Sequence, residues 1–129
     1  MSKVITINGN IACVKYDLIC GKGVDALCTD HTRAPTSDNI YLVEIKGKNL
    51  LNAIKNIEKT LKRDPNTGCG LVLKPREAFI VHDEDAFRSQ QYESSKIQLM
   101  KKYNLNIHEI PFNEANKHQI LSTALTLGQ

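Results

Sequence analysis

Short apolar runs dominate the first part of the chain and helical spacing much of the rest, which predicts strands first and then alternating helices and strands. Lys3 to Ile7 and Asn10 to Tyr16 read as two strands joined at Asn8-Gly9, a pair suited to the positive-φ positions of a type I′ turn. Gly21-Lys22-Gly23 breaks the chain. Val24 to Asp30 reads as a third strand, the polar stretch His31 to Asn39 with Pro35 as a connection, and Tyr41 to Gly47 as the returning strand. The first half is therefore an antiparallel meander.

Asn49 is a good N-cap for a helix over about Leu50 to Arg63, in which Leu50, Ala53, Ile54, Ile57 and Leu61 recur at helical spacing. Asp64-Pro65 ends it, because the residue before a proline is pushed out of the helical region. Gly70 to Leu73 and Ala78 to His82 are apolar runs expected to form buried strands. Gln91 to Tyr103 reads as a helix with Tyr92, Leu99, Met100 and Tyr103 inward, Lys101 and Lys102 complementing its dipole, and Asn104 as a left-handed cap. Leu105 to Ile110 is a last strand, closed by Pro111. Glu114 to Leu127 is a last helix with Ile120, Leu121, Ala124 and Leu127 on one side and Gly128 as its stop. The expected class is α/β, more closely α+β: a central mixed β-sheet with an antiparallel N-terminal meander, flanked by helices. A chain of 129 residues suffices for one domain, 1–129, with one core.

The strand Tyr41 to Gly47 carries Glu44 and Lys46, two residues apart and so on one face, where charge needs a reason. If the preceding hairpin folds about its midpoint near Ala34 and Pro35, Asp25 lies opposite Glu44, with Cβ atoms roughly 5 Å apart. Two carboxylates at that separation repel unless a cation sits between them, so the pair reads as a divalent-metal site with a lysine beside it. Removing one carboxylate from such a repelling pair is expected to leave stability unchanged or slightly improved. Hard oxygen ligands suit Mg²⁺ or Mn²⁺, and Mg²⁺ commonly takes one or two carboxylates and keeps several waters. The bland reading is a solvated Glu-Lys pair on an exposed sheet face.

An Asp, then about twenty residues on Glu-x-Lys at the end of an apolar strand, then an amphipathic helix, resembles the PD-(D/E)XK nuclease superfamily, which has the restriction-endonuclease-like fold. The resemblance runs from Val24 to Arg63, with Val24 standing where many members carry Pro. It implies that Asp25 and Glu44 hold Mg²⁺ together with the backbone carbonyl of Ile45. It implies too that Lys46 assists the attacking water and the transition state, so that Asp25, Glu44 and Lys46 form the catalytic set. Asn56 sits where related nucleases often carry a Gln lining the active site. The archaeal junction resolvases of that superfamily open with a helix bearing an acidic residue, whereas this chain opens with a hairpin.

A formal charge of +3 is compatible with a phosphate-backbone partner and falls short of the excess that signals nucleic acid by itself. The candidate contacts are Lys55, Lys59 and Lys62 on the polar face of the first long helix, also readable as a solvated face, and Lys22 and Lys48 near the strand ends. Asp30 and Asp38 are rival acids, but they lie at the hairpin tip where Asp serves turn chemistry. His31, His82, His108 and His118 share no metal-ligand spacing. Cys13, Cys20, Cys28 and Cys69 show neither CxxC spacing nor the density of a disulfide scaffold, and read as reduced thiols in a cytoplasmic protein. No apolar run reaches membrane-spanning length, and Met1 to Val4 does not read as a signal peptide. The expected function is a Mg²⁺-dependent nuclease acting on DNA, as a homodimer because so small a domain offers little surface for gripping a duplex. The alternative is an inactive module of the same fold that binds nucleic acid or a protein partner.

Overall fold

The computed structural model describes residues 4–127 apart from the Lys46 side chain, so Lys3 as a strand start, Gly128 as a helix stop and the side-chain position of Lys46 lie outside the described residues. Six strands form one sheet in the order β1 to β6: β1 (Ile5–Asn8), β2 (Ile11–Val14), β3 (Ala26–Asp30), β4 (Ile40–Gly47), β5 (Glu77–His82) and β6 (Asn106–Pro111). The first four strands pair antiparallel, while β4, β5 and β6 run parallel, which makes the sheet mixed and open. Among the described residues the helices are α1 (Tyr16–Cys20), α2 (Leu50–Lys62), α3 (Gln90–Tyr103), α4 (Phe112–Ala115) and α5 (Gln119–Thr126). The fold is α+β, as the periodicity implies.

Antiparallel strands can turn back tightly, whereas the parallel neighbours β4, β5 and β6 need crossovers, which α2 and α3 supply. The apolar stripe of α2 buries Leu50, Ala53, Ile54, Ile57 and Leu61 against Leu42 and Ile80 on one sheet face, with Tyr92 and Leu99 of α3 in the same core. On the other face α5 packs Leu121 and Ala124 against Cys13, Ala26, Cys28, Val43 and Val81. Both expected caps are present. The Asn49 side chain accepts from the Asn52 N–H, and Asn104 ends α3 in the left-handed region at φ 52°.

Several expectations are corrected. The first turn is centred on Gly9 and Asn10 rather than on Asn8-Gly9. Gly9 has φ 61° and Asn10 has no positive φ, which fits a type II′ turn and excludes type I′. The second strand stops at Val14, and Tyr16 begins α1. Residues 70–73 form no strand: Leu71 packs against the core while Val72 is 78% exposed. The last helix is divided into α4 and α5.

The cysteines are not free thiols. Cys13 pairs with Cys28 across the β2–β3 register, and Cys20 at the end of α1 pairs with Cys69 in the loop after α2. The cysteine argument for a reducing compartment is thereby removed. Among the described residues no helix is long and apolar enough to cross a membrane.

Candidate active site

The β3–β4 register is the one that folding about Ala34 and Pro35 requires. Ala26 pairs with Val43, Leu27 with Leu42, Cys28 with Tyr41 and Thr29 with Ile40. The hairpin tip is fixed by side chains: Asn39 donates to the Ala34 carbonyl and accepts from the Thr36 N–H. Asp30 accepts from Thr32 and pairs with Arg33, and Asp38 pairs with Arg76, so both rival acids serve the turn and its surroundings.

One step beyond the last β3–β4 pair, Asp25 and Glu44 interlock. The Asp25 N–H donates to Glu44 Oε1 at 2.8 Å, and the Ile45 N–H donates to Asp25 Oδ2 at 2.6 Å. Glu44 is wholly buried, and Asn56 of α2 donates through Nδ2 to its Oε2 at 3.1 Å. A carboxylate at 0% exposure requires such donors, because an unsatisfied buried charge is strongly disfavoured. The repulsion expected from two bare carboxylates is therefore not the whole balance, since backbone and amide donors offset it. Lys46 follows in β4, which is bulged between Ile45 and Gly47.

Thr60 positions the entry to β3. Its hydroxyl accepts from the Val24 N–H at 3.0 Å and donates to the Asn56 carbonyl, so one side chain ties α2 to the segment carrying Asp25. Gly23 is required there, because a Cβ would collide with the Tyr16 ring and the Thr60 hydroxyl. Arg63 donates to the carbonyls of Cys20 and Lys22 and lies over the Tyr16 ring, fixing α1 against the same segment.

Sequence reasoning missed Asp17 on α1. Burial and the neighbouring Asp25 carboxylate push its carboxyl above the usual range, against the pull of the Leu18 N–H and Lys15. Its Oδ1 is buried with no hydrogen-bond partner among the described residues. No spacing signal marks Asp17, since it depends on a five-residue helix embedded in strand-forming residues. A recess of about 300 Å³ is lined by Lys15, Asp25, Ala26, Ile45 and the C-terminal end of α5. His82, at the end of β5, is buried; its Nδ1 lies 2.7 Å from the Asp83 carbonyl and its Nε2 has no partner among the described residues.

The expected nucleic-acid contacts lie on α2 and in the segments before β3 and after β4. Lys55, Lys59 and Lys62 are exposed on α2, with Lys62 3.9 Å from Glu58, while Asn56 turns inward to Glu44. Lys22 is exposed in the loop before β3, and Lys48, after β4, pairs with Asp85. The most elaborate polar cluster lies elsewhere and is structural: Tyr92 donates to Glu109, which also meets Lys96 and Arg88.

The Asp25 and Glu44 carboxylates lie at one end of the β3–β4 pair, each accepting from the other segment's main chain, and the Asp17 carboxyl stands beside Asp25. That donor chemistry fits a hard divalent cation. Among the described residues, no three His, Cys, Asp or Glu side chains form a group that could hold a metal ion. No family model matches the chain, and no curated protein or solved structure matches it significantly.

Proposed function

We propose that this chain is a metal-dependent nuclease of the restriction-endonuclease-like kind, hydrolysing phosphodiester bonds in DNA. The observation that carries the reading is the interlock of Asp25 and Glu44 at the end of an antiparallel pair, held from α2 by Asn56. The antiparallel run β2–β3–β4 followed by a helical crossover to parallel β5 is in keeping with that fold.

Asp25, Glu44 and the Ile45 carbonyl would hold Mg²⁺, with Mn²⁺ as a substitute. Such an ion, when bound, supplies a nucleophilic water at neutral pH and offsets charge building on the phosphoryl oxygens. Asn56 holds Glu44 in place, and Thr60 holds the backbone that presents Asp25. Lys46 orients the attacking water or stabilises the transition state as a cation. The recess beside Asp25 gives a phosphate a way in, with Lys15 at its wall. The exposed lysines of α2 are the candidate contacts to the duplex backbone.

A second reading is an inactive module of the same fold, favoured by one observation: both carboxylates already accept main-chain hydrogen bonds, as structural side chains do. Incubation with circular and linear DNA in EDTA, Mg²⁺ and Mn²⁺ separates the two. Cleavage that needs the metal and disappears in Lys46→Ala supports the nuclease. Intact DNA under all three conditions removes it.

A further inference from the structure

The two faces of the sheet are covered unequally. Over β1, β2 and β3, the face bearing Thr6, Cys13 and Cys28 is packed by α5. The register places Ile5 opposite Val14, Ile7 opposite Ala12 and Val14 opposite Leu27, so these side chains share the other face. The apolar stripe of α2 lies over β4 and β5, while beside Val14 and Leu27 this face meets α1 and the loop around Cys69. Ile5 and Ile7 are 57% and 62% exposed, Ile19 is 56% exposed, and Val72 is 78% exposed.

We propose that this face binds the same face of a second copy of the chain. The first argument is area. With Leu73, those residues leave roughly 500 Å² exposed, the upper end of what a monomer ordinarily keeps contiguous. The partly exposed Ala12, Val14, Leu27, Ile40 and Leu71 extend it toward the roughly 800 Å² per partner of a stable interface. The second argument is shape. A two-fold interface needs a patch that complements itself. Here a recess of about 350 Å³ lies between the sheet residues Val14, Leu27 and Ile40, Pro35, and the loop residues 70–73, with the exposed Val72 on its rim. Projection and recess share one patch, so the Val72 of each copy enters the recess of the other. The third argument is charge. No charged residue lines the recess, whereas nucleic acid and anionic membranes are both gripped through Lys and Arg. Glu44 and Asn56 lie at the opposite end of the β3–β4 pair from Pro35 and Ile40, so the pairing of copies is independent of the metal chemistry.

Sedimentation equilibrium over a concentration series tests the pairing. The unaltered protein should show twice the 14.5 kDa chain mass at the upper concentrations. Val72→Asp, a change at an exposed loop position, should raise the dimer dissociation constant about 30-fold or more. Ile7→Thr keeps a β-branched residue in β1 and should weaken the dimer in the same direction, with circular dichroism verifying the fold of both variants. A protein that stays monomeric throughout overturns the proposal, and so does a dimer that neither substitution weakens. A monomer that binds phosphatidylcholine vesicles through Val72 overturns it in favour of a lipid partner.

Discussion

Glu44→Ala is the perturbation whose outcome the structure defines most sharply. Glu44 is fully buried and accepts from the Asp25 N–H at 2.8 Å and from Asn56 Nδ2 at 3.1 Å. Alanine strands both donors, and each buried donor left without a partner costs about 1–3 kcal/mol. Loss of the side chain also leaves a void, while removal of a desolvated charge offsets part of the total. A net loss of about 2–4 kcal/mol follows. With a urea m-value of about 1.5 kcal/mol/M, the midpoint should fall by about 1.3–2.7 M. Glu44→Gln keeps an acceptor for the Asp25 N–H but sets an amide against Asn56, so it should lose only about 1 kcal/mol. Both variants are measured in EDTA, so that ion binding does not enter. If Glu44→Ala is as stable as the parent or more so, carboxylate repulsion dominates the site and the hydrogen-bond account of Glu44 is wrong.

Asp17→Asn should stabilise the metal-free protein at neutral pH and have little effect near pH 3: burial and Asp25 raise the folded-state pKa of Asp17 above its usual 3.8, so the parent loses stability as pH rises through that window. Denaturation in EDTA at the two pH values checks this, and an equal effect at both refutes it. Under a dithiol reductant, Cys20 and Cys69 should be alkylated before Cys13 and Cys28, because the first pair is partly exposed and the second fully buried. Removing the Cys20–Cys69 crosslink, with a sequence separation of 49, should cost up to about 4 kcal/mol, against about 3 for the Cys13–Cys28 link. Replacing two of Lys55, Lys59 and Lys62 with Gln should flatten the salt dependence of DNA binding by about 0.9 per lost phosphate contact, read as the slope of log K against log salt. An unchanged slope makes that helix face a solvated one.

Local chemistry in the sequence was legible where it depended on neighbours. Asn49 and Asn104 cap the helices that the apolar spacing outlines, and the hairpin midpoint sets the β3–β4 register, which brings Asp25 to Glu44. What escaped depended on tertiary partners. The five residues of α1 include Tyr and Ile, which favour strands, and they are held as a helix by Arg63 and the loop around Cys69. The run from Gly70 to Leu73 is apolar enough for a strand, yet the Cys20–Cys69 tether holds the adjoining loop against Tyr16, so Leu71 packs and Val72 projects. The Cys13–Cys28 pairing is a consequence of strand register, which cysteine spacing does not encode. Asp17 came to light only with α1 in place, and the backbone donors that satisfy Asp25 and Glu44 only with the strand ends in place.

The central claim, that Asp25 and Glu44 hold a divalent cation, is tested most directly by titrating Mn²⁺ into the purified protein and following free Mn²⁺ by electron paramagnetic resonance. The unaltered protein should remove one equivalent of Mn²⁺ from solution and release it to excess Mg²⁺. Asp25→Asn and Glu44→Gln, verified as folded, should each weaken that binding at least about tenfold, the scale expected when one of two anionic ligands becomes neutral. Mn²⁺ that stays free with the unaltered protein, or binds equally well to both variants, would contradict the metal site and the nuclease reading built on it.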